Sequence, residues 1–268
     1  NPLGSAENII SFTWSNKDPL QGRIAILSSY TQNLKVAKEL GWEVSYWNKG
    51  RLVETEVYKD APYKVEFDKT VPQPTGLRFN LVLSPKSFTI TTEQVSSLRF
   101  YDYQTEEFLT SGASFTLDGE YPYYKWIERE GARFRVIPKG TIRDAIDNQY
   151  FYFQTYEQIA KQGIKSLNAS AEAKGSELLE LSMKGFNKSK IADFLNTTVT
   201  ELRRFELEEK NLMAKNTISF IDSQLETIKL DLANTEENLG SFRAENLIVD
   251  LGAESSQLME QYLQLEQE

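Results

Sequence analysis

The sequence of 268 residues contains no cysteine and no histidine. Without thiols it has no disulfides, iron–sulfur ligands, thiol nucleophile or cysteine-based zinc site. Without imidazole it lacks the commonest metal ligand and the usual base of a catalytic triad, so any catalysis would rest on carboxylates, lysine or tyrosine. The glycine-rich phosphate loops and the nucleophile-elbow motif are also missing. We therefore expect no cofactor, no metal and no catalytic residue in this sequence.

The chain also has few basic residues and no long apolar runs. Its 30 Lys and Arg residues face 39 Asp and Glu residues, which gives a formal net charge of −9. This balance argues against nucleic acid and anionic membrane surfaces as partners, because both require a basic face. No window approaches the roughly 18 to 20 apolar residues of a membrane span, and the amino terminus lacks the features of a signal peptide.

The composition is that of a globular protein, with 40% hydrophobic and 26% charged residues. The opening Asn1–Ser5 resembles a cloning scar left by a protease site. At the other end, the helical pattern of Leu258, Tyr262 and Leu265 is still running when the sequence stops at Glu268. We therefore expect this sequence to be an excised fragment of a longer protein.

A heptad stripe dominates the carboxyl-terminal part of the sequence. Apolar residues recur at alternating steps of three and four, interrupted only by Thr235. The expected helix-packing or oligomerisation positions are Ile218, Ile221, Leu225, Ile228, Leu232, Leu239 and Phe242. A single helix from Ser189 to Phe242 would be roughly 80 Å long, so it must find partners outside its own globule. Both a returning helix of the same chain and a neighbouring subunit fit the stripe.

The preceding residues predict an α+β fold, a mixed or antiparallel sheet base followed by the long, protruding carboxyl-terminal helix as a coiled-coil-like arm. A strand is expected at Ile9–Trp14, followed by one helix from Asp18-Pro19 to Gly41. Turn residues separate the next segments at Asn48–Gly50, Pro62, Pro72–Pro74 and Ser84-Pro85. The expected strands are Glu43–Tyr46, Leu52–Tyr58, Lys64–Phe67, Leu77–Leu83, Ser87–Thr91 and Leu98–Tyr103.

The second half of the base continues with a turn at Asp118-Gly119, a strand at Arg133–Ile137 and a helix at Tyr156–Gly163. Strands at Lys165–Ala173 and Leu178–Met183 then form a hairpin, after which Asn187 or Ser189 caps the long helix. The heptad pattern falters at Asn246 and at Asp250–Gly252, which predicts a bend followed by a second helix capped by Ser255 or Ser256. The domains expected are a base over 1–188 and an arm over 189–268.

Acidic and aromatic residues cluster in one predicted hairpin. Asp118 and Glu120, with Glu128 and Glu130 nearby, have the composition of a glycosidase acid and base pair. Tyr121, Tyr123, Tyr124 and Trp126 would then be a platform on which sugar rings stack. The spacing carries no specificity, and a solvated hairpin with one packed face is the favoured interpretation.

A further set of arm residues, taken in order and spacing, carries a family resemblance: Glu209–Ala214, Thr217, Phe220–Asp222, Leu225, Glu236, Leu239, Phe242-Arg243 and Asn246. They resemble the chain-length determinant (Wzz) family of polysaccharide co-polymerases, and most closely the Wzc-type tyrosine autokinases of capsule and exopolysaccharide export. The strand and helix start at Leu179–Asn196 are similar to those that precede the arm in that family, and Gly50-Arg51 with Glu56–Val65 looks like a segment of its Bacteroidetes-type members.

The resemblance implies a periplasmic domain of a bacterial inner-membrane protein, anchored by flanking transmembrane helices and assembled into a ring-like homo-oligomer that sets polymer length. Nascent polysaccharide, a polymerase and an outer-membrane export channel are the partners it implies. The parent protein would carry a cytoplasmic tyrosine kinase, whereas this fragment would not be an enzyme. Two other functions stay open, a periplasmic adaptor of a secretion or efflux system and a polysaccharide-processing enzyme that uses Asp118 and Glu120.

Overall fold

A computed structural model describes residues 19–95, 98–110, 115–129, 131–173, 178–245 and 251–265. By internal contacts the chain divides into two units, Asn1–Phe205 and Glu206–Glu268. The expected strand at Ile9–Trp14 and the bend around Asn246–Asp250 lie outside the described residues.

The first unit contains both helices and strands, and the described residues of the second unit are helical. The helices are α1 (Pro19–Ser28), α2 (Tyr30–Leu40), α3 (Tyr156–Ser166), α4 (Lys188–Glu245) and α5 (Leu251–Leu265). The strands are β1 (Val44–Lys49), β2 (Glu54–Glu56), β3 (Tyr63–Phe67), β4 (Gln73–Thr75), β5 (Phe79–Leu83), β6 (Ser87–Thr92), β7 (Arg99–Asp102), β8 (Glu107–Thr110), β9 (Asp118–Pro122), β10 (Ile127–Arg129), β11 (Ala132–Pro138), β12 (Ile146–Phe153), β13 (Leu167–Ala171) and β14 (Leu179–Met183).

One large sheet organises the first unit. Its strands follow the order β8–β7–β4–β12–β5–β6–β9, and β1 joins it through β12 and carries β2. Between the described strands, the pair β4–β12 is parallel and the other pairs are antiparallel. Smaller sheets are formed by β10–β11–β3 and by the hairpin β13–β14. The α+β fold class with a mixed sheet and a long carboxyl-terminal helix is therefore confirmed.

The core lies between the large sheet and the β10–β11–β3 sheet. Along β5 alternate side chains are buried, as a half-buried strand requires, and Phe79 stacks on Phe151 of β12 with ring centroids 4.8 Å apart. Phe134 of β11 meets both rings edge-on at 5.4 and 5.7 Å. Such aromatic pairs add roughly 0.5–1.5 kcal/mol each beyond the area they bury.

The single helix expected from Asp18 to Gly41 is wrong, because Ser29 divides it into α1 and α2. Ser29 is extended, with φ −73° and ψ 148°, and its hydroxyl accepts a hydrogen bond from the amide of Gln32 at 3.2 Å. An N-cap of this kind satisfies one of the free amides of a new helix. The predicted stop is confirmed, since Gly41 closes α2 in the left-handed conformation with φ 63°.

Two turn predictions are also wrong. Pro72–Pro74 does not simply separate strands, because Gln73–Thr75 forms β4, where Pro74 lies opposite Phe100 of β7. A strand of three residues tolerates the missing proline amide because it has few ladder bonds to lose. Asp118-Gly119 lies within β9, and Gly119 leaves room for the Tyr121 ring, which would be 3.3 Å from an added Cβ.

The elements around the start of the long helix follow the prediction closely. The helix at Tyr156 is confirmed and extends to Ser166, and the hairpin β13–β14 is confirmed by antiparallel pairing. Asn187 is the cap of α4, since its side-chain oxygen accepts a hydrogen bond from the amide of Lys190 at 3.0 Å. The second helix begins at Leu251, before the expected caps at Ser255 and Ser256.

The first turns of α4 belong to the first unit. Phe194, Thr198 and Glu201 are buried there, whereas every α4 residue from Glu208 onward is exposed except Met213. The helix starts at Lys188, which is also the last residue of the predicted base. The boundary between the two units defined by internal contacts lies later, after Phe205.

Two helical glycines provide a matched test of this packing. At Gly163 of α3 an added Cβ would lie 2.5 Å from Cζ of Phe194, whereas at Gly240 of α4 it would meet nothing within 4 Å. Gly163→Ala is expected to lower the free energy of unfolding by about 1–3 kcal/mol through overpacking. Gly240→Ala is expected to leave it unchanged or raise it by up to about 1 kcal/mol, as alanine favours the helix.

The free energy of unfolding of both variants is measured by urea titration, followed by tryptophan fluorescence and by the helical circular dichroism signal. A Gly163→Ala protein at least as stable as the wild type would contradict the close packing of α4 on α3.

Candidate functional site

The predicted heptad stripe lies on a continuous helix and is exposed to solvent. All seven of its residues fall within α4, and their spacing places them along one side of that helix. Their relative exposure ranges from 48% at Leu239 to 60% at Ile218 and Ile228. The stripe thus has the geometry of a helix-packing surface.

Other apolar residues of the second unit are exposed as well. On α5, Leu258, Met259, Tyr262 and Leu263 follow the spacing of one helix face. On α4, Phe220 and Leu230 are exposed but lie away from the heptad stripe. Exposed apolar helix faces of this kind commonly mark interaction sites.

The beginning of α4 is anchored to the first unit by a set of interlocking contacts. The Phe194 ring lies 6.0 Å from that of Trp42 and against the bare backbone of Gly163. Four residues earlier, Lys190 pairs with Glu56 of β2, and its Nζ lies 4.6 Å from the centroid of the Trp42 ring. These contacts combine apolar packing with a cation–π interaction and an ion pair.

Tyr58 also contacts the start of α4, and its own backbone conformation is strained. Its φ of 46° is rare for a bulky residue, and such strain costs of order 1–3 kcal/mol. The tyrosine hydroxyl accepts a hydrogen bond from Trp42 Nε1 at 2.9 Å and donates one to Asp193 Oδ2 at 2.7 Å. Burial, together with the neighbouring Asp193 carboxylate, raises the pKa of Tyr58 well above its ordinary value. It therefore remains a neutral hydrogen-bond donor.

The acidic pair considered for glycosidase chemistry lies on β9. Asp118 and Glu120 are two residues apart on this strand, which places both side chains on the same face. Glu120 accepts a hydrogen bond from the Ser87 hydroxyl at 2.5 Å. Glu128 pairs with Arg133 at 2.9 Å, and Glu130 lies outside the described residues. Glu120 and Glu128 are thus engaged in contacts with neighbouring side chains.

The aromatic residues of that hairpin do not form one platform. Tyr121 and Tyr123 both pack on Phe88, with ring centroids 6.1 and 5.5 Å away. Trp126 lies near the guanidinium carbons of Arg133 and Arg135, at 4.9 and 4.8 Å from its ring centroid. Tyr124 is exposed in a turn. Packing explains the first three residues without a ligand.

Glu43, Lys69 and Tyr156 form a cluster that has the residue types of a catalytic site. Lys69 donates hydrogen bonds to Glu43 at 2.6 Å and to the Tyr156 hydroxyl at 3.3 Å. Desolvation lowers the pKa of Lys69, but the hydrogen bond and the charge of Glu43 outweigh it and raise that pKa. Burial and Glu43 likewise raise the pKa of Tyr156. A protonated lysine and a neutral tyrosine are poor nucleophiles.

A cleft of about 390 Å³ opens beside the anchor of α4. We name it the tryptophan cleft, since Trp42 and Trp47 line it together with Glu54, Glu56, Gln162 and Lys190. Val53 and Phe186, which also line it, are exposed. All of these residues belong to the first unit. The volume lies in the range of about 300–1,000 Å³ that is typical of small-ligand sites.

Sequence reasoning missed the tryptophan cleft. One signal was present, because Trp42 and Trp47 are two of only four tryptophans and lie five positions apart. The remaining walls come from β2, α3 and the start of α4, and no pattern in the sequence brings these segments together.

Among the described residues, no group of three or more histidine, cysteine, aspartate or glutamate side chains is arranged to hold a metal ion. None of the described helices combines the length and apolar character needed to cross a bilayer.

The chain is similar to two curated proteins over part of its length. No protein-family model matches it. The two curated proteins are each 22% identical to it over 188 residues, which span 68% of this chain and 26% of theirs. Both are tyrosine-protein kinase etk, one from Escherichia coli strain K12 and one from Escherichia coli O157:H7. The chain thus spans about a quarter of the length of the curated relatives it matches.

The contact between Asp193 and Lys59 predicts a pH-dependent contribution to stability. The hydrogen bonds from Lys59 and then from Tyr58 hold the pKa of Asp193 below its ordinary value. The stabilisation is therefore fully present above the unfolded-state pKa of about 3.9 and is lost as the pH falls through the lower folded-state value. Asp193→Asn is expected to lower the free energy of unfolding at pH 7 by less than about 1 kcal/mol, because the ion pair is largely exposed.

Urea unfolding of wild type and variant at neutral and acidic pH tests this prediction. The difference is expected to shrink at acidic pH, where the protonated carboxyl group resembles the amide. Asp222→Asn, at an exposed position of the same helix, is the control and should change little at either pH. A difference that grows on acidification would contradict the assigned role of Asp193.

Proposed function

We propose that this chain is the periplasmic scaffold domain of a bacterial inner-membrane polysaccharide co-polymerase. In this function the domain regulates the length and export of capsular polysaccharide, exopolysaccharide or O-antigen by oligomerisation. It breaks no bond itself, and the residues assigned to the interface are those of the heptad stripe on α4.

The exposed stripe is the observation that carries the proposal. Seven large apolar side chains at heptad spacing, each about half exposed, are unfavourable in water and are typical of a helix that packs on another helix. The proposed partner is a second copy of this chain, since an identical subunit presents the same stripe at the same positions along its own helix. Closed rings of identical subunits are a common outcome of such association.

Similarity to tyrosine-protein kinase etk supports the family part of the proposal. The sequence resembles Wzc-type tyrosine autokinases, and both relatives are tyrosine-protein kinases by name. Because the matched region is 26% of the relatives' length, the remaining parts of a parent protein are proposals too. They comprise flanking transmembrane helices and a cytoplasmic kinase domain. A polymerase, an outer-membrane export channel and the nascent polymer are the proposed partners.

A charge placed within the stripe should weaken self-association. Leu225→Asp would bury an unpaired carboxylate between helices, so we expect the dissociation constant of the oligomer to rise at least about tenfold. Ser223→Asp introduces the same side chain about 200° away around the helix and is the matched control. Sedimentation equilibrium over a range of concentrations, with circular dichroism on the same samples, measures the effect. Equal association and helix content for both variants and the wild type would remove the stripe as the interface.

The function itself is tested in the full-length parent protein in its own host. Leu225→Asp together with Ile228→Asp is expected to alter the length distribution of the surface polysaccharide on gels, while Ser223→Asp leaves it unchanged. Immunoblots of membrane fractions verify that each variant accumulates to the normal level. A normal length distribution in the double variant, at normal protein level, would contradict the proposed scaffold function.

A further inference from the structure

Hydrogen bonds fix the wall of the tryptophan cleft. Trp47 Nε1 donates to the Ser45 hydroxyl at 2.8 Å, and that hydroxyl donates to Glu56 Oε1 at 3.0 Å. Lys190 donates to the same Glu56 oxygen. On the neighbouring strand, Tyr150 and Tyr152 stack on Trp47 with ring centroids 6.1 and 6.3 Å away. The half-buried indole of Trp47 is therefore held in one orientation beside the cavity.

Glu56 and Lys190 form a mostly buried ion pair in this wall, with side-chain exposures of 16% and 12%. Desolvation of two charges offsets most of their attraction, so such a pair contributes little to stability compared with apolar packing. Among the described residues, the hydrogen bonds to Glu56 all end on Oε1. Oε2 remains able to accept a hydrogen bond from a ligand in the cleft.

Both carboxylates of the cleft are paired with cations. Its lining contains two carboxylates, Glu54 and Glu56, and two ammonium groups, Lys184 and Lys190. Glu56 pairs with Lys190, and Glu54 pairs with Arg78, whose guanidinium donates to both of its oxygens at 2.9 and 3.2 Å. The site combines an aromatic face with hydrogen-bonding groups in a cavity of small-ligand size.

We propose that the tryptophan cleft binds a neutral saccharide. The apolar C–H face of a pyranose ring packs on the Trp47 indole, and its hydroxyl groups reach Glu56 Oε2 and the side-chain amide of Gln162. Sugars suit this lining because one face of the ring is apolar while its edge carries hydroxyl groups that need partners. An apolar peptide side chain would fill the cavity but would leave the Glu56 carboxylate without a ligand partner. The proposal concerns the isolated chain and does not depend on the proposed function.

Titration calorimetry on the purified chain tests the proposal with three neutral probes, maltotetraose, cellotetraose and chitotetraose. At least one is expected to bind, and Trp47→Ala is expected to weaken that binding at least about tenfold. Trp47→Phe keeps an aromatic face and should bind with intermediate affinity. Trp126→Ala is the matched control, because Trp126 does not line the cleft and should leave the affinity unchanged.

A second variant keeps the test decisive if Trp47→Ala disturbs the fold. Gln162 is exposed on α3, so Gln162→Arg projects a longer side chain into the cleft without removing a packed residue. Gln162→Arg is expected to block saccharide binding. Gln104→Arg, at an exposed position outside the lining, is the control and is expected to leave binding unchanged. Failure of all three tetrasaccharides to bind, equal affinity in the blocked variant, or binding of N-acetyl-phenylalaninamide in place of the sugars would overturn the assignment.

Discussion

The packing of Phe194 against Gly163 and Trp42 is the constraint on which both candidate sites of this protein depend. It fixes the first turns of α4 on α3 and beside β1, where Lys190 can reach Glu56. The same contacts set one wall of the tryptophan cleft. Glycine is favoured at position 163 of α3 because a side chain there would press against the Phe194 ring. The close contact between α3 and α4 thus positions the first turns of the long helix and one wall of the cleft.

Along α4 the environment changes while the secondary structure does not. Near its start, Phe194 and Thr198 are buried, and their neighbours make the side-chain contacts that stabilise a helix in a folded unit. From Glu206 onward the helix belongs to the second unit, where its apolar stripe is exposed. Intrinsic propensity favours that segment, since no proline and only Gly240 interrupt it. The proposed association would cover this exposed stripe.

Helices and strands with a repeating apolar pattern were predictable from the sequence. Features that depend on a cap or on neighbouring strands were not. The heptad spacing identified the long helix, and alternation with β-branched and aromatic residues identified β3, β5, β6 and β11. By contrast, a polar Ser29 looks like any helix residue until its side chain caps a new one. Gln73–Thr75 became a strand because β7 and β12 flank it, which overrides the local preference of proline for turns.

The tryptophan cleft shows why sites are harder to predict than helices. Its aromatic wall is local, since Trp47 and Glu56 face each other across the β1–β2 pair. Its opposite wall includes Gln162 and Lys190, which lie far along the chain, and it depends on how α3 and α4 pack on each other. Only the tertiary structure brings these residues together.

The single polar interruption of the stripe, Thr235, has a local explanation. Its hydroxyl donates to the carbonyl oxygen of Asp231 one turn earlier at 2.7 Å, as those of Thr217 and Thr227 do with Met213 and Ser223. A threonine bonded in this way needs no partner from outside the helix. Its methyl group can then face an apolar neighbour without leaving an unsatisfied donor. The stripe from Ile218 to Phe242 is therefore continuous as a packing surface, although its sequence pattern is broken.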